Sequence, residues 1–269
     1  MARKIGFIGV GNMAGAIIGG ITSTEGGVSY ADLVLYDCLP EKCEPYAALG
    51  AHIAINECDV ALLSDVVVLA IKPQGFPALF ETLAHVQNLD RKLIVTIAAG
   101  ITVESISSAL HTSSVVRVLP NTPMLIGQGV SVICRNNAVS ADDFAFVVSM
   151  FEASGRVVLI DESEMNRIIS VTSSSPAYVF AFIKAICDGA AAQGLTGEHI
   201  LPAVCDVVIG SAMLLKQGSK TPEEQISVVT SKGGTTERAM AVLEEDDLYG
   251  MLEKAMKACT RRAEELSGN

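Results

Sequence analysis

Short apolar runs alternate with helix-length segments over about the first 160 residues of this 269-residue chain, and this alternation most constrains its fold. Seven runs are rich in β-branched residues, and a weaker one, "AHIAI", lies between the second and the third. Their apolar residues are continuous rather than alternating, which is typical of strands covered by helices on both faces. The runs are "KIGFIG", "DLVLYD", "DVVVLAIKP", "KLIVTIAAG", "SVVRVLP", "GVSVIC" and "GRVVLID". This pattern predicts a doubly wound α/β domain with a mostly parallel sheet.

The pattern changes after Asp161, where the β-branched runs stop. The remaining chain is rich in Ala, Leu and Met at helical spacing, which predicts helices with one apolar face. One such stripe consists of Leu248, Met251, Leu252, Ala255 and Cys259. We therefore expect two domains, an α/β domain at residues 1–161 and an all-helical domain at residues 162–269.

Composition and charge limit the partners of the chain. Hydrophobic residues make up 50% of the sequence and charged residues 18%, so the chain has enough apolar surface for a substantial core. The net charge of −11 repels nucleic acids and anionic membranes, because nucleic-acid binding depends mostly on cationic side chains that neutralise phosphates. No segment has the roughly 18 continuous apolar residues of a membrane span. We expect neither nucleic acid nor a membrane as a partner.

The cysteines and histidines favour a reduced protein without a metal. Seven cysteines are scattered without a C-x-x-C pair, and none of the four histidines has a metal-ligand spacing to another His or Cys. Scattered thiols suit a reducing compartment. The start "MARKIGFIGVGNMAGA" imitates a secretory signal, but its apolar core is short and interrupted by glycines. We expect a cytoplasmic location.

A glycine-rich turn follows the first predicted strand. Gly9, Gly11 and Ala14 form a G-x-G-x-x-A motif between "KIGFI" and a helical stretch. The first glycine makes the tight turn, the second lets the backbone approach a pyrophosphate, and the small third residue packs the helix on the strand. This order of strand, turn and helix predicts a dinucleotide-binding Rossmann domain at residues 1–161.

Asp37 ends the second predicted strand, where Rossmann domains usually have the residue that binds the ribose hydroxyls. A carboxylate there repels the 2′-phosphate of NADP, and the first cation that follows is Lys42. Asp37 therefore favours NAD over NADP. A purely structural role in the turn before Pro40 is the alternative.

Two further strand ends are rich in small residues, "AIKP" at residues 70–73 and "IAAG" at residues 97–100. Ligands of open α/β sheets bind at the carboxyl ends of the strands, so small residues there make room for the nicotinamide half of a cofactor. Ordinary strand-end turns with Lys72 in solvent explain the same residues equally well.

A second glycine-containing turn lies near the other end of the chain, in "VVTSKGGTTERAM" at residues 228–240. Its hydroxyl and glycine residues directly precede a helical stretch. Free N–H groups and the positive end of a helix dipole favour an anion, and glycines let the anion approach. A simple helix cap after a glycine loop is the alternative.

Six segments together resemble the 1-pyrroline-5-carboxylate reductase family. They are "IGFIGVGNMAGAI", "AIKPQ", "IAAGIT", "RVLPNTPMLIGQG", "SSSPAYVFAFIKA" and "VVTSKGGTTERAM", in this order across nearly the whole chain. The resemblance implies reduction of 1-pyrroline-5-carboxylate to L-proline, the last step of proline biosynthesis, with NADPH or NADH and without a metal. It also implies a C-terminal dimerisation domain that forms a homodimer, often assembled further into a decamer.

The resemblance also implies the site residues. Besides Asp37, the cofactor would contact Ile8, Gly9, Val10, Gly11, Asn12, Met13, Asn56, Ala70, Ile71, Lys72, Pro73, Ala98, Ala99 and Gly100. Thr236 and Ser231 are the predicted catalytic residues, which contact the substrate carboxylate and the ring nitrogen. Other predicted substrate contacts are Gly233, Gly234, Thr235, Ser174 and Asn121. Asn121 lies between two prolines and is equally consistent with a rigid structural turn.

Three departures from the family pattern concern the substrate more than the cofactor. Family members commonly have glycines on both sides of a serine before "PAY", whereas this chain has Ser173, Ser174 and Ser175. Lys232 stands where a proline is usual, and an acidic residue common shortly before Pro222 is absent. A related cyclic imine is therefore an alternative substrate.

Two other functions fit the same layout. The β-hydroxyacid dehydrogenases have an Asn four residues after a catalytic lysine, whereas here Lys184 is followed by Asp188, which argues against them. A non-catalytic nucleotide-binding regulator is the other, because a fold does not determine a function. The reductase interpretation requires the early glycine turn and the late serine-threonine turn to face each other, within one chain or across a subunit boundary.

Overall fold

One sheet organises the N-terminal part of the protein. The computed structural model describes residues 3–24 and 26–268. Its strands are β1 Ile5–Ile8, β2 Leu33–Tyr36, β3 His52–Ile53, β4 Val66–Leu69, β5 Leu93–Thr96, β6 Val115–Leu119, β7 Gly129–Arg135 and β8 Gly155–Leu159. They lie in the order β3-β2-β1-β4-β5-β6-β7-β8. Each strand coincides with one of the apolar runs predicted from the sequence.

Neighbouring strands are parallel, except that β6 and β7 are antiparallel. Only residues 120–128 join these two strands, which is too few for the helical crossover that a parallel connection needs. From β1 the strand order runs to β2 and β3 on one side and to β4 and β5 on the other, so the order reverses between β1 and β4. Doubly wound sheets bind ligands in the crevice at the carboxyl ends of the strands at such a reversal. The prediction of a doubly wound, mostly parallel sheet is confirmed.

Helices cover both faces of the sheet. The helices of the whole chain are α1 Asn12–Ser23, α2 Glu44–Ala47, α3 Glu57–Leu63, α4 Phe76–Leu83, α5 Val103–Leu110, α6 Ala141–Glu152, α7 Met165–Ile168, α8 Ser175–Ala192, α9 Ile200–Gln217, α10 Pro222–Val229, α11 Thr235–Glu245 and α12 Leu248–Ser267, of which α1 to α6 lie within the sheet-forming part of the sequence. Phe7 belongs to the same buried cluster as Ile17 of α1, whereas Ile8 belongs to a second cluster with Leu83 of α4. Two covered faces explain the continuous apolar runs.

The chain forms two compact units. One comprises Met1–Ser174 together with Cys259–Asn269, and the other comprises Ser175–Ala258. The predicted boundary after residue 161 therefore differs from the boundary between the units. The described residues from 162 onward form helices and turns without a strand, so the prediction of an all-helical C-terminal part is confirmed.

The physical reason for the different boundary is apolar packing. Met165 and Ile169 are buried in one cluster with Leu119 of β6 and Ala263 of α12. These side chains attach α7 and the end of α12 to the sheet. The sequence pattern shows that these segments are helical but does not identify the surface against which they pack.

The second unit lacks a core of its own. None of its described residues is buried, and apolar side chains such as Phe180 of α8 and Ile209 of α9 are about 60% exposed, at 63% and 60%. By length and composition alone, α9 also qualifies as a membrane-crossing helix, although Asp206 and Lys216 lie within it. Exposed apolar helix faces of this kind are typical of surfaces that pack against another protein chain.

We expect Gly155→Ala to destabilise the protein strongly. Gly155 has a φ of +146°, and a Cβ there would lie 2.1 Å from the carbonyl oxygen of Gly129. Backbone strain plus this clash should lower the free energy of unfolding by about 3 kcal/mol or more in urea denaturation. Gly127→Ala is the control, because its φ is also positive but its surroundings are open, and it should cost about 1 kcal/mol. Equal costs would contradict the role of the clash.

Candidate functional site

The glycine turn lies where the carboxyl ends of β1 and β4 meet. The Gly9 N–H donates to the carbonyl of Tyr36, and the Ala70 N–H donates to the carbonyl of Ile8, both over 2.8 Å. Gly9 has a φ of +95°, and a Cβ there would lie 2.8 Å from the Ala70 carbonyl oxygen. Both the conformation and the available space therefore require glycine at this position.

Gly11 starts α1 and has open space in front of it. It is the N-cap residue and supplies no side-chain cap, and no atom lies within 4 Å of where its Cβ would be. Asn12 and Met13 form the first turn of α1, and Ala14 is buried at its third position. The first N–H groups of a helix have no partner within the helix, so this uncapped and open helix start fits the pyrophosphate of a dinucleotide.

The Asp37 carboxylate is bound to the same turn. Its Oδ2 accepts the Val10 N–H at 2.8 Å, its Oδ1 accepts the Leu39 N–H at 3.0 Å, and Lys42 Nζ lies 3.2 Å from Oδ1. Burial raises the pKa of Asp37, but the two N–H donors and the Lys42 ammonium outweigh burial and hold the pKa below its ordinary value. Asp37 therefore stabilises the glycine turn as an anion, and Lys42 offsets part of its charge.

The two small-residue strand ends follow the neighbouring strands β4 and β5. Residues 70–73 continue from β4, and Lys72 is exposed there. In the segment 98–100, Gly100 has a φ of +78°, and a Cβ there would lie 2.5 Å from the Cβ of Leu266. The segment 98–100 is therefore packed against the last turn of α12.

Asn56 caps a helix at the same edge of the sheet. It lies between β3 and α3, and its Oδ1 accepts the N–H of Asp59 at 2.9 Å. The cap satisfies one of the free N–H groups at the start of α3. Its contact with a cofactor stays a prediction.

Asn121 connects two segments of the first unit. Its Nδ2 donates to the carbonyl of Thr172 at 3.1 Å, and its Oδ1 accepts the Val130 N–H at 2.8 Å. The chain continues from Thr172 to Ser174, whose Oγ lies 3.2 Å from Cys259 Sγ. Both ends of the Asn121 amide thus have a structural partner, and they bring Asn121 and the segment before Ser174 together.

The serine-threonine loop, residues 230–234, belongs to the second unit and connects α10 to α11. Gly233 has a φ of +74°, and Gly234 is the N-cap residue of α11 without a side-chain cap. The Gly234 N–H donates to the Ser231 carbonyl at 2.9 Å, and Thr235 and Thr236 are the first two residues of α11. The predicted glycine-opened helix start is present, and its contact with a substrate stays a prediction.

A buried arginine was missed in the sequence. Arg117 in β6 is 1% exposed, its Nη2 donates to Asn166 Oδ1 at 2.8 Å, and its Nη1 lies 3.7 Å from Glu162 Oε1. The same Glu162 oxygen accepts the Val103 N–H at the start of α5. Burial lowers the pKa of Arg117, and Cys134 and Glu162 partly offset this effect. The only sequence signal was an arginine inside the apolar run "SVVRVLP".

Two further kinds of chemical site can be assessed among the described residues, a reactive thiol at Cys134 of β7 and a metal-binding cluster. Burial raises the pKa of Cys134 to about 12, so its thiol stays protonated and is a poor nucleophile. No group of three or more His, Cys, Asp or Glu side chains that could hold a metal ion occurs within residues 3–24 and 26–268. The residues around the crevice offer mainly backbone N–H groups, hydroxyls and amides.

Known proteins match this chain over its full length. Residues 162–266 match the family model for pyrroline-5-carboxylate reductase dimerisation, and residues 4–100 match a model for coenzyme F420-dependent NADP oxidoreductases. The pyrroline-5-carboxylate reductase of Escherichia coli (strain K12) is 35% identical over 272 residues, which is 99% of each chain. The chain belongs to the pyrroline-5-carboxylate reductase family.

Solved structures of the family share the fold. The pyrroline-5-carboxylate reductase of Coxiella burnetii has a TM-score of 0.87 at 31% identity, covering 99% of each chain. The Plasmodium falciparum pyrroline carboxylate reductase with NADP bound has a TM-score of 0.89 at 24% identity, covering 98% of each chain. The predictions of the fold class, the family and an oxidoreductase are confirmed. The matches also support a nicotinamide cofactor, a small-molecule substrate and self-association.

We expect Asn121→Asp to destabilise this reductase. The aspartate keeps an acceptor for the Val130 N–H but loses the donor to the Thr172 carbonyl and brings a charge to a site that is 7% exposed. The free energy of unfolding should fall by about 1–3 kcal/mol in denaturant titrations. Asn88→Asp, at an exposed position with left-handed backbone, is the control and should have little effect. A similar loss in both variants would argue against the Asn121 contacts.

Asp37 should contribute stability that depends on pH. Its folded pKa lies below the ordinary value of 3.8, so its contribution is present above that value and is lost as the pH falls through the lower folded pKa. The difference in melting temperature between the wild type and Asp37→Asn should therefore shrink below a pH of about 4. Asp90→Asn, at an exposed residue, controls for net charge. A difference that is constant across this pH range would contradict the ion-pair contribution.

Proposed function

We propose that this protein reduces 1-pyrroline-5-carboxylate to L-proline. The observation that carries the proposal is that both predicted anion sites are helix starts with a glycine N-cap, Gly11 for α1 and Gly234 for α11. By contrast, α3, α5, α6 and α10 are each capped by their own N-cap side chain. The helix α4 also has a glycine N-cap, Gly75, but it continues directly from a 3-10 turn and has a proline in its first turn. A glycine cap leaves backbone N–H groups for a ligand, a dinucleotide pyrophosphate at α1 and a carboxylate at α11.

The proposed chemistry is hydride transfer to a cyclic imine. A bound reduced nicotinamide supplies the hydride. The imine carbon accepts it, the C=N electron pair moves to the ring nitrogen, and protonation of that nitrogen before or during transfer makes the carbon a better acceptor. In this proposal, the Thr236 and Ser231 hydroxyls contact the substrate carboxylate and the ring nitrogen, while Gly233, Gly234 and Thr235 contribute backbone groups. Their role is to align the acceptor carbon, and neither hydroxyl has to ionise.

The proposed cofactor is NADH or NADPH, with NADH preferred. The negative charge of Asp37 at the end of β2 supports this preference, because it repels a 2′-phosphate. The preference is modest, since Lys42 lies 3.2 Å from the carboxylate and offsets part of that repulsion. Residues 8–13, 70–73 and 98–100 are the proposed contacts with the cofactor, and no metal takes part.

The proposed assembly is a homodimer that can build a decamer, in the cytoplasm, without a nucleic-acid or membrane partner. The uncovered apolar faces of α8 and α9 support association through the helical unit. The match of residues 162–266 to a dimerisation model agrees with this assignment. The net charge of −11 supports the absence of nucleic acid as a partner.

The β-hydroxyacid dehydrogenase alternative is not favoured by Lys184. This side chain is 74% exposed, and its Nζ lies 2.5 Å from the Asp188 carboxylate one helical turn later. The hydrogen bond to Asp188 raises the pKa of Lys184, which makes it a weaker proton donor. An exposed lysine in a surface ion pair is usual on helices and needs no catalytic role.

Thr236→Ala should weaken substrate binding. We propose to measure proline-dependent reduction of NAD and NADP at alkaline pH, where the wild type should use both and use NAD more efficiently. Loss of a hydrogen bond to a carboxylate should raise the KM for proline roughly tenfold to a hundredfold. Thr235→Ala is the matched control, because only its backbone is assigned to the site. An unchanged KM in Thr236→Ala would remove this hydroxyl from the carboxylate site.

A further inference from the structure

A carboxylate of the chain itself lies at the start of α11. The Gly233 N–H donates to Glu237 Oε2 at 2.8 Å, and Glu237 is the acidic residue in the first turn of α11. With a φ of +74°, Gly233 adopts a left-handed conformation just before the N-cap Gly234. The helix start assigned to the substrate carboxylate thus already binds one carboxylate.

The preceding helix α10 has a similar contact, in which a glutamate in the first turn accepts a backbone N–H at the helix start. There the Thr221 N–H donates to Glu224 Oε2 at 2.7 Å, and the Thr221 hydroxyl accepts the Glu224 N–H at 3.3 Å, which together form a capping box. In α11 the N-cap is glycine, so the reciprocal hydroxyl contact is missing and Glu237 reaches back to Gly233. The α11 contact differs from a capping box, because Glu237 accepts the N–H of the residue before the N-cap, and no N-cap side chain covers the first N–H groups of α11.

Two carboxylates at one helix start oppose each other. A substrate carboxylate at this helix start interacts with the same positive end of the helix dipole, next to the Gly233 N–H that Glu237 already accepts. Glu237 is only partly exposed, at a helix start in which Gly233 is exposed, so solvent screens the repulsion but does not remove it. Binding of a carboxylate ligand must therefore displace the Glu237 side chain or accept its charge nearby.

We propose that Glu237 is a specificity-determining residue that competes with the substrate carboxylate. It weakens the binding of imine acids relative to cyclic imines without a carboxylate, an inference that rests on the proposed function of this loop. A ligand without a carboxylate leaves the contact between Gly233 and Glu237 intact. Glu237 thereby narrows the difference in affinity between carboxylated and uncarboxylated five-membered ring substrates.

The substitution Glu237→Gln removes the negative charge of Glu237 but keeps a side-chain acceptor for the Gly233 N–H. The glutamine side-chain oxygen can still accept the Gly233 N–H, but it does not repel a carboxylate. Calorimetry on the NADH-loaded protein, in which L-proline cannot be oxidised, would measure the Kd of L-proline and, as the ligand without a carboxylate, of pyrrolidine. The Kd of L-proline should fall roughly twofold to fivefold in Glu237→Gln, whereas the Kd of pyrrolidine, which binds as a cation without a carboxylate, should not fall.

The control variant is Glu244→Gln, which removes an exposed carboxylate near the other end of α11 and should leave both Kd values unchanged. Three results would overturn the proposal: an unchanged or higher Kd for L-proline in Glu237→Gln, an equal change for pyrrolidine, or the same gain in Glu244→Gln. A higher Kd for both ligands would instead make Glu237 a partner of the ring nitrogen. Intact binding of L-proline by a wild type that does not reduce the imine would contradict only the proposed reaction.

Discussion

The hydrogen bond between the Val10 N–H and the buried Asp37 carboxylate is the contact on which the nucleotide edge of the sheet depends. It connects the turn after β1 to the end of β2 and fixes the position from which α1 starts. Gly9 closes this turn tightly against β4, while Gly11 leaves its outer side open. An anion of the protein therefore shapes the turn for which we propose a second anion, the pyrophosphate, and Lys42 offsets part of the Asp37 charge.

The sheet was predictable because its signal is local. Continuous apolar runs occur where both faces of a strand are covered, and all eight runs form strands. The boundary between compact units was not predictable in the same way. Met165 and Ile169 lie in helical sequence, but they are buried against β6, and a helical period does not reveal which surface a helix contacts.

In the candidate site too, features that depend on local sequence were predictable and long-range contacts were not. Gly9 was predictable because a tight turn after a strand requires a conformation that glycine adopts easily. The role of Asn121 depends on Thr172, which is 51 residues away, so the two interpretations of Asn121 were indistinguishable in the sequence. Arg117 is another long-range case, since its partner Asn166 lies 49 residues further along the chain. The role of a side chain that connects distant segments cannot be predicted from local sequence, because its partner is known only once the chain is folded.

The last turn of α12 packs against the rest of the first unit. Leu266 packs directly on Gly100, and Ser267 Oγ accepts a hydrogen bond from Asn166 Nδ2 at 3.0 Å. This turn of α12 is thus a structural neighbour of the loop that follows β5. A substitution that enlarges or removes the Leu266 side chain therefore acts directly on the loop at Gly100, although the two residues are 166 positions apart in the sequence.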